Sequence, residues 1–342
     1  MSLRRIATAL LAATAATLLP IAPAQAATDL PFAGATTVGL HNTYDPAAFP
    51  QLARALDTGT GLIELDAWTD TVTKEWKVSH SNPLGNSNNC VAATDASQLY
   101  GGGTNKNLEH CLDDVRLWLG AHPQAGPLVV KLELKGGFAA NRGMGPAQLD
   151  ALIAAHLGST VFRPADLLGS YLTLDAAARA GHWPSRSALA GRVLVDLIPG
   201  TVEEQNPFDT LHTDVEYGRH LRDLAAAGRI GQAQVFPAVH GAAAGDPRGR
   251  YAETGIRPWF VVFDGDAATY LAGGIDTSWY RTGNYFLVMT DAHNVAPAIS
   301  GTAPTAEQAR ARVAQLAAAH ASLATSDWRA LPEIQSLVLP RG

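Results

Sequence analysis

Six polar side chains suited to metal binding or proton transfer lie near the ends of four apolar segments between residues 36 and 135. They are His41 and Asn42, Glu64 and Asp66, His80, and Glu133. Four of them carry carboxylate or amide oxygens, which Ca²⁺ prefers because it tolerates irregular shells of about six to eight oxygens. Mg²⁺ is less expected because it keeps more water, and Zn²⁺ is not expected from a set without thiolates. These residue types indicate one calcium site.

The two histidines, His41 and His80, add the groups that phosphoryl transfer needs. One imidazole can accept a proton from an attacking hydroxyl, and the other can donate a proton to the leaving oxygen. A bound cation would neutralise the charge that builds up on the phosphoryl oxygens. Structural interpretations remain open, since a histidine at a strand end is often unreactive and Asn42 could simply form a turn.

Alternation along two of the segments brings the acidic residues to shared faces. Successive side chains of a strand point to opposite faces, so Glu64 and Asp66 lie together on one face of Gly61–Trp68. The same rule puts Glu133 on the polar face of Leu128–Lys135. Buried carboxylates are costly unless they are paired or bind a metal, so these faces indicate a common site.

Neighbouring lysines leave a second interpretation of the carboxylates open. Lys131 and Lys135 lie on the same face as Glu133. Glu64 and Asp66 could pair with these lysines or line a solvated edge, and Glu133 could belong to a structural ion-pair network. The occurrence of all these groups at strand ends favours the metal site.

Eight short segments rich in branched apolar residues are predicted to be buried strands. They are Thr36–Asn42, Gly61–Trp68, Trp76–His80, Leu128–Lys135, Arg192–Ile198, Gln234–Ala238, Trp259–Asp264 and Tyr285–Thr290. Helical patterns between most of them predict an α/β fold, a single-domain (β/α)₈ TIM-type barrel that need not be regular. An open doubly wound sheet is the alternative, and the length of 342 residues also allows two domains. Active sites of the barrel lie at the carboxyl ends of its strands, where the six polar side chains would meet.

The N-terminal sequence predicts a secretory signal peptide over residues 1–26, followed by the barrel over residues 27–342. Arg4 and Arg5 form a cationic start, Ile6–Ile21 is apolar, and Ala24-Gln25-Ala26 matches the small-x-small cleavage pattern. The mature protein would then be secreted and extracellular. A membrane anchor and twin-arginine export are the alternatives.

The chain has two cysteines, Cys90 and Cys111, which are expected to pair in an oxidising compartment. They lie 21 positions apart, so the bond should stabilise the fold by roughly 3 kcal/mol. Two free buried thiols are the alternative, and neither number nor spacing indicates a zinc site.

The net charge argues against one class of partner. The chain carries −6, and loss of residues 1–26, with two arginines and no acidic residue, would leave 23 basic and 31 acidic residues, or −8. Nucleic-acid-binding proteins present basic patches, so no nucleic acid is expected as a partner. Positive charge for phosphate chemistry must come from a metal or from a few local side chains.

Four motifs resemble those of calcium-dependent phosphoinositide-specific phospholipase C. In chain order they are His41-Asn42-Thr43-Tyr44, Glu64-Leu65-Asp66-Ala67-Trp68, Val78-Ser79-His80 and Leu132-Glu133-Leu134. The resemblance is to the catalytic X-region of the eukaryotic enzymes, without their pleckstrin, EF-hand, C2 or Y-region sequences, as in a secreted bacterial member. It extends over about residues 36–135 and is weak beyond them.

This resemblance implies roles for individual residues. His41 would stabilise the phosphoryl transition state and share the role of general base with Glu64, while His80 would protonate the diacylglycerol oxygen. The implied calcium ligands are Asn42, Glu64, Asp66 and Glu133. An inositol hydroxyl would attack phosphorus, giving diacylglycerol and a cyclic inositol phosphate that water can open.

The substrate implied is phosphatidylinositol in membranes, met through transient contact with the lipid interface by a protein taken as a monomer. Plain phosphatidylinositol is favoured, because the second half lacks the usual basic residues for ring phosphates. Lys135 could hold a phosphate oxygen or be paired. Asp291 could bind the inositol ring, orient His41 or only cap a loop. Trp279-Tyr280 could touch lipid, although core packing is the stronger expectation.

Two other functions remain open. A glycerophosphodiester phosphodiesterase would share the barrel and a Glu-x-Lys pattern like Glu133-Leu134-Lys135, but that family prefers His-Arg-Gly where this chain has His41-Asn42-Thr43. A non-catalytic, calcium-stabilised secreted binding module is the other, although no expected catalytic position is missing.

Overall fold

The computed structural model describes residues 29–342 and shows a closed barrel of eight parallel strands. The strands are β1 (Ala35–Leu40), β2 (Leu62–Asp70), β3 (Glu75–Val78), β4 (Leu128–Leu134), β5 (Val193–Pro199), β6 (Val235–His240), β7 (Val262–Asp266), β8 (Phe286–Thr290), β9 (Leu323–Ser326) and β10 (Val338–Pro340). The barrel consists of β1, β2 and β4 to β9, and it closes because β1 pairs in parallel with both β2 and β9. This confirms the TIM-type barrel and excludes an open sheet. The predicted signal peptide, 1–26, lies outside the described residues.

Helices surround the barrel in the connections between its strands. They are α1 (Leu52–Leu56), α2 (Leu108–Ala121), α3 (Pro146–Leu157), α4 (Pro164–Leu168), α5 (Leu174–Arg179), α6 (Thr201–Glu204), α7 (Thr213–Ala226), α8 (Ala267–Leu271), α9 (Ser278–Thr282), α10 (Ala306–Ala318) and α11 (Pro332–Gln335). The outer faces of the strands and the inner faces of the helices form one large hydrophobic core. Among residues 29–342, no helix has the length and apolar character needed to cross a bilayer.

One predicted barrel strand needs correction, and one barrel strand was not predicted. Trp76–His80 was predicted as a barrel strand, but β3 runs antiparallel to the end of β2 as a hairpin. Only four residues separate β2 from β3, whereas a parallel crossover needs about a dozen or more. The eighth barrel strand is instead Leu323–Ser326, a short run with two small polar residues that lacks the expected branched apolar pattern.

The predicted disulfide between Cys90 and Cys111 is present, and it anchors the loop beside the site. Asn89, next to Cys90, donates its side-chain amide to Thr43 O (2.8 Å) and Phe49 O (3.0 Å). Asn88 donates its amide to Val78 O (2.9 Å). The bond therefore holds in place both segments that carry the histidines.

Candidate active site

Three carboxylates converge where β2 and β4 approach the carboxyl end of the barrel. One oxygen from each of Glu64, Asp66 and Glu133 lies within 4.8 Å of the other two. Parallel pairing sets Asp66 beside Glu133, and Glu64 lies two residues earlier on the same face of β2. The convergence expected from alternation is therefore found, while the function of these residues as metal ligands stays a prediction.

Asp66 has the environment of a metal ligand whose negative charge is only partly compensated by the protein. Both of its oxygens are buried and accept no hydrogen bond from residues 29–342, although Lys135 Nζ lies 3.3 Å from Oδ2. Burial, followed by the charges of Glu64 and Glu133, raises the pKa of Asp66 to about 7. A hard divalent cation would supply the missing partner and relieve the repulsion, so the donor set fits Ca²⁺.

Lys131 of β4 and Lys135, which directly follows this strand, pair with these carboxylates. Lys131 Nζ lies 3.4 Å from Glu64 Oε1 and 3.1 Å from Asp264 Oδ2. Lys135 Nζ lies 2.8 Å from Glu133 Oε1, and both lysines are buried. The three carboxylates therefore converge at one site and also form ion pairs with the two lysines. Lys135 was also considered as a residue that could hold a phosphate oxygen. Its ammonium already pairs with Asp66 and Glu133.

Thr43, which follows β1, ties the His-Asn-Thr-Tyr motif to β2. Its hydroxyl donates to Glu64 O (2.9 Å) and accepts from Glu64 N (3.1 Å), replacing ladder bonds that β1 and β2 do not form there. Asn42 has a left-handed backbone (φ 47°) and donates its N–H to Glu64 Oε2 (3.4 Å). The buried Tyr44 hydroxyl donates to Asn42 Oδ1 (3.1 Å). Burial, then the charge of Asp66, raises the pKa of the Tyr44 hydroxyl. Because the Asn42 amide accepts from this hydroxyl, it lies at the edge of the acidic cluster.

His41 is held between two carboxylates. Its Nδ1 lies 3.5 Å from Asp327 Oδ1 and its Nε2 lies 3.9 Å from Glu64 Oε2. Burial disfavours the charged imidazole, but the contact with Asp327 and the charges of Glu64 and Asp291 outweigh it and raise the pKa of His41 to about 9. The carboxylates around His41 therefore favour the protonated imidazole in the calcium-free protein.

Asp327 was not predicted from the sequence as a site residue. Asp291 was considered as a residue that could orient His41. Asp327 directly follows β9, the strand that the sequence pattern did not predict. Asp291 has a left-handed backbone (φ 51°), lines the same cavity as His41 and acts on it through its charge. The contact that orients the imidazole is thus made by Asp327.

His80 lies at the rim with its side chain exposed. The residue before it is fixed, because Ser79 N donates to Asp66 O (3.1 Å) and Trp68 Nε1 donates to Ser79 O (2.8 Å). His80 thus directly follows the backbone beside Asp66, and it is exposed to solvent. Its role as general acid stays a prediction.

A cavity of about 180 Å³ opens beside the acidic cluster. His41, Glu64, Lys131, Glu133, His240 and Asp264 are among the residues that line it. Around it, negative charges outnumber positive ones. The carboxylates are Glu64, Asp66, Glu133, Asp264, Asp291 and Asp327, and the basic groups are Lys131, Lys135, His41 and His240. The excess of negative charge favours binding of a divalent cation.

A deeper polar layer was not predicted. Asp196 of β5 and Asp264 of β7 are buried, and neither accepts a hydrogen bond from the described part of the chain, although Lys131 Nζ lies 3.1 Å from Asp264 Oδ2. Burial, then the charge of Asp264, raises the pKa of Asp196 well above its usual range. A lone Asp within the apolar run of β5 was the signal that could have indicated it.

Comparisons with known proteins agree with this geometry. The family model described as "Phosphoinositide phospholipase C, Ca²⁺-dependent" matches residues 97–217. A solved Ca²⁺-dependent phosphatidylinositol-specific phospholipase C from Streptomyces antibioticus is 56% identical, with TM-score 0.90, covering 92% of this chain and 99% of that one. This chain belongs to the Ca²⁺-dependent phosphoinositide phospholipase C family.

The similarity to this family extends well beyond the four motifs. The family model matches residues that follow His41, Glu64, Asp66 and His80 in the chain, and the Streptomyces enzyme covers nearly all of it. A calcium-dependent phosphoinositol-specific phospholipase C from a Pseudomonas species, 22% identical with TM-score 0.65, covers 92% of this chain and 97% of that one and shares the fold. No curated protein matches the chain.

Membership of the phosphoinositide phospholipase C family makes this chain a phosphoric diester hydrolase with Ca²⁺ as its cofactor. It also decides against the two alternatives, a glycerophosphodiester phosphodiesterase and a non-catalytic binding module. Trp279 and Tyr280 were considered for lipid contact, with core packing as the stronger expectation. They pack against the core, since Tyr280 is fully buried and Trp279 lies edge-on to Phe263.

Proposed function

We propose that this chain cleaves phosphatidylinositol in membranes to diacylglycerol and an inositol phosphate that is first cyclic. The observation that carries the proposal is the convergence of Glu64, Asp66 and Glu133 within 4.8 Å, with His41 Nε2 3.9 Å from Glu64 Oε2. Asn42 would join these three as the fourth calcium ligand. When bound, Ca²⁺ would neutralise charge on the phosphoryl oxygens.

The side chains would divide the proton transfers. An inositol hydroxyl attacks phosphorus and loses its proton, and the bond from phosphorus to the glycerol oxygen breaks. A protonated His41 would stabilise negative charge on the phosphoryl group, and Glu64 would accept the hydroxyl proton. His80, exposed at the rim, would donate the proton that the diacylglycerol oxygen takes up.

Headgroup preference would follow from the charge of the cavity. Asp264 and Asp291 line it together with Glu64, and its lysine is buried in ion pairs. Ring phosphates would meet carboxylates there, so unphosphorylated phosphatidylinositol is the expected substrate. Asp291 would bind a ring hydroxyl.

Exposed apolar residues around the rim would contact the lipid surface. Val72 (88% exposed) lies in the β2–β3 turn, Leu84 (84%) follows His80, and Phe208 (93%) follows α6. All three lie in connections that leave the carboxyl end of the barrel. Exposed side chains of this size around a site mark interaction surfaces. The protein would act there as a monomer.

The disulfide and the pattern of residues 1–26 support secretion, since disulfide bonds form and persist in oxidising compartments. Export from the cell would also bring the enzyme to extracellular membranes.

One assay tests the proposed reaction. Phosphatidylinositol vesicles are incubated with the enzyme in Ca²⁺ and then in chelator, following diacylglycerol and the phosphorus-31 signal of cyclic phosphate. Release of both in Ca²⁺, and of neither in chelator or with a folded His80→Ala variant, is expected. Faster hydrolysis of soluble glycerophosphoinositol than of vesicles would contradict the proposal.

A further inference from the structure

A second and larger cavity, of about 760 Å³, lies at the opposite end of the barrel, where the strands begin. Gly61 precedes β2 there, Leu128 begins β4, and α11 closes one side. Its volume is within the range of about 300–1,000 Å³ for small-molecule sites. No residue that lines it also lines the cavity of about 180 Å³ near His41, so the larger space does not belong to the catalytic machinery.

Arg186 lines this cavity as a buried cation without a counter-charge. Its residue is 9% exposed, and its Nη1 has no hydrogen-bond partner within residues 29–342. Its guanidinium forms no ion pair with a carboxylate of the described residues, and burial lowers the pKa of Arg186 to about 10. An uncompensated buried charge costs several kcal/mol, which an anionic partner would offset.

The surroundings keep the guanidinium in the cavity. Arg186 N donates to Leu30 O (2.9 Å), which fixes its backbone. A Cβ on Gly126 would lie 3.0 Å from Arg186 Nη2, so glycine there makes room for the side chain. The arginine is therefore built into the wall rather than folded over the surface.

The rest of the wall is mostly apolar, with one further unpartnered polar atom. Leu56, Trp118 and Leu337 line the cavity. Gln335 donates its amide to Trp328 O (3.2 Å), but its buried Oε1 accepts no hydrogen bond from the described residues. Thr37, Ser187 and Glu333 also line the cavity, so apolar and polar surfaces lie side by side around Arg186, which suits a ligand with a polar head and an apolar chain.

We propose that this cavity binds an amphiphilic anion, whose carboxylate or phosphate pairs with Arg186 and whose apolar chain lies against Leu56, Trp118 and Leu337. A buried Arg presents a planar fork that matches both anionic heads. The site is separate from the calcium centre, and binding does not depend on the proposed reaction.

Calorimetric titration of the full enzyme with four probes tests the site. Octanoate and octyl phosphate carry both head and chain, octanol carries the chain, and inorganic phosphate carries the head. The two amphiphilic anions should bind at least about tenfold more tightly than octanol or inorganic phosphate, a difference of about 1.4 kcal/mol. Which of the two binds more tightly identifies the head. Equal affinity for octanol would overturn the role of the charge, and equal affinity for inorganic phosphate would overturn the amphiphile.

Arg186→Met is the decisive variant, because it keeps a long apolar side chain. It should remove the preference for octanoate over octanol and raise the melting temperature of the ligand-free protein, since a buried unpaired charge is lost. Retention of the preference would overturn the proposal. Cleavage of phosphatidylinositol is a separate measurement, so failure of this site and failure of the proposed function are distinguishable.

Glu333 provides the control, since it lines the same cavity and is exposed. Glu333→Gln should leave the melting temperature and the affinity for octanoate nearly unchanged. If Arg186 instead pairs with Glu333 in solution, the two single variants would lower the melting temperature equally and the double variant would lower it no further. That result would overturn the proposal.

Discussion

Asp327 Oδ1 lies 3.5 Å from His41 Nδ1, and the two residues follow neighbouring strands of the barrel. Leu40 of β1 pairs with Ser326 of β9, so the next residue on each strand emerges at the same point of the rim. Ser326 O also accepts a hydrogen bond from His41 N (3.4 Å). Closure of the barrel between its first and last strands thus creates this contact, which raises the pKa of His41.

Asp327→Asn should lower the pKa of His41 in the calcium-free enzyme by at least about one unit, because the largest favourable contribution to its charge is lost. NMR titration of the imidazole measures the shift. Asp291→Asn removes a smaller contribution and is the matched control. A larger shift with Asp291→Asn than with Asp327→Asn would contradict the assignment of Asp327 as the orienting residue.

The same pair predicts how stability depends on pH. The folded state raises the pKa of His41 from 6.5 to about 9, so its contribution is fully present below the lower value and is lost as pH rises through the higher one. The calcium-free Asp327→Asn variant should therefore melt below the wild type in mildly acidic buffer and together with it above about pH 9. Thermal melts across this range measure the difference. A gap that widens with rising pH would have the wrong sign.

Asp66→Asn should weaken calcium binding at least about tenfold, because a charged ligand is worth more than about 1.4 kcal/mol. Without calcium the same variant should be more stable than the wild type above about pH 7. Folding raises the pKa of Asp66 from 3.8 to about 7, so its ionisation destabilises the folded state, and the gain should vanish as pH falls below the lower value. Calorimetry and thermal melts measure the two effects.

Asp70→Asn is the control for that experiment. Asp70 ends the same strand, but its Oδ1 accepts from Val72 N (3.0 Å) in the hairpin turn. It should leave calcium affinity unchanged. Equal losses in both variants would indicate a general effect of negative charge in place of a ligand at Asp66.

The sequence predicted the acidic cluster because alternation is a local property. Glu64 and Asp66 are two residues apart on one strand, and that spacing alone sets them on one face. Glu133 joins them because its strand, β4, pairs in parallel with β2. The lysine pairs of Lys131 and Lys135 were foreseen as an alternative, and the two arrangements coexist.

Long-range closure was not predictable in the same way. The short strand β9, Leu323–Ser326, is recognised only by its pairing with β1 and β8, and Asp327 was missed with it. By contrast, the error at β3 was avoidable, because four residues cannot make a parallel crossover. Nothing in the sequence distinguishes Arg186 from a surface arginine, because its burial without a counter-charge depends on the packing of distant segments.

Removal of the disulfide by Cys90→Ser with Cys111→Ser should lower the free energy of unfolding by roughly 3 kcal/mol. Chemical denaturation measures the change. Since Asn88 and Asn89 hold the segments of both histidines, activity should decline at temperatures well below the new melting point. Asn89→Ala keeps the disulfide but loses the bonds to Thr43 O and Phe49 O, so it should also reduce activity. Full activity in both variants would show that the loop does not position the site.

Phe208→Ser should reduce cleavage of phosphatidylinositol vesicles by about tenfold, because full burial of a Phe side chain in lipid is worth roughly 1.5–3 kcal/mol. Hydrolysis of a soluble inositol phosphodiester should not change, since Phe208 is 93% exposed and does not line the catalytic cavity. Leu172→Ser is the matched control: Leu172 is 89% exposed but lies between α4 and α5, in the connection that leads back to the start of β5. Vesicle sedimentation should show weaker binding for Phe208→Ser only. Equal loss in both variants would indicate that exposed apolar area anywhere on the surface, rather than the rim, brings the enzyme to lipid.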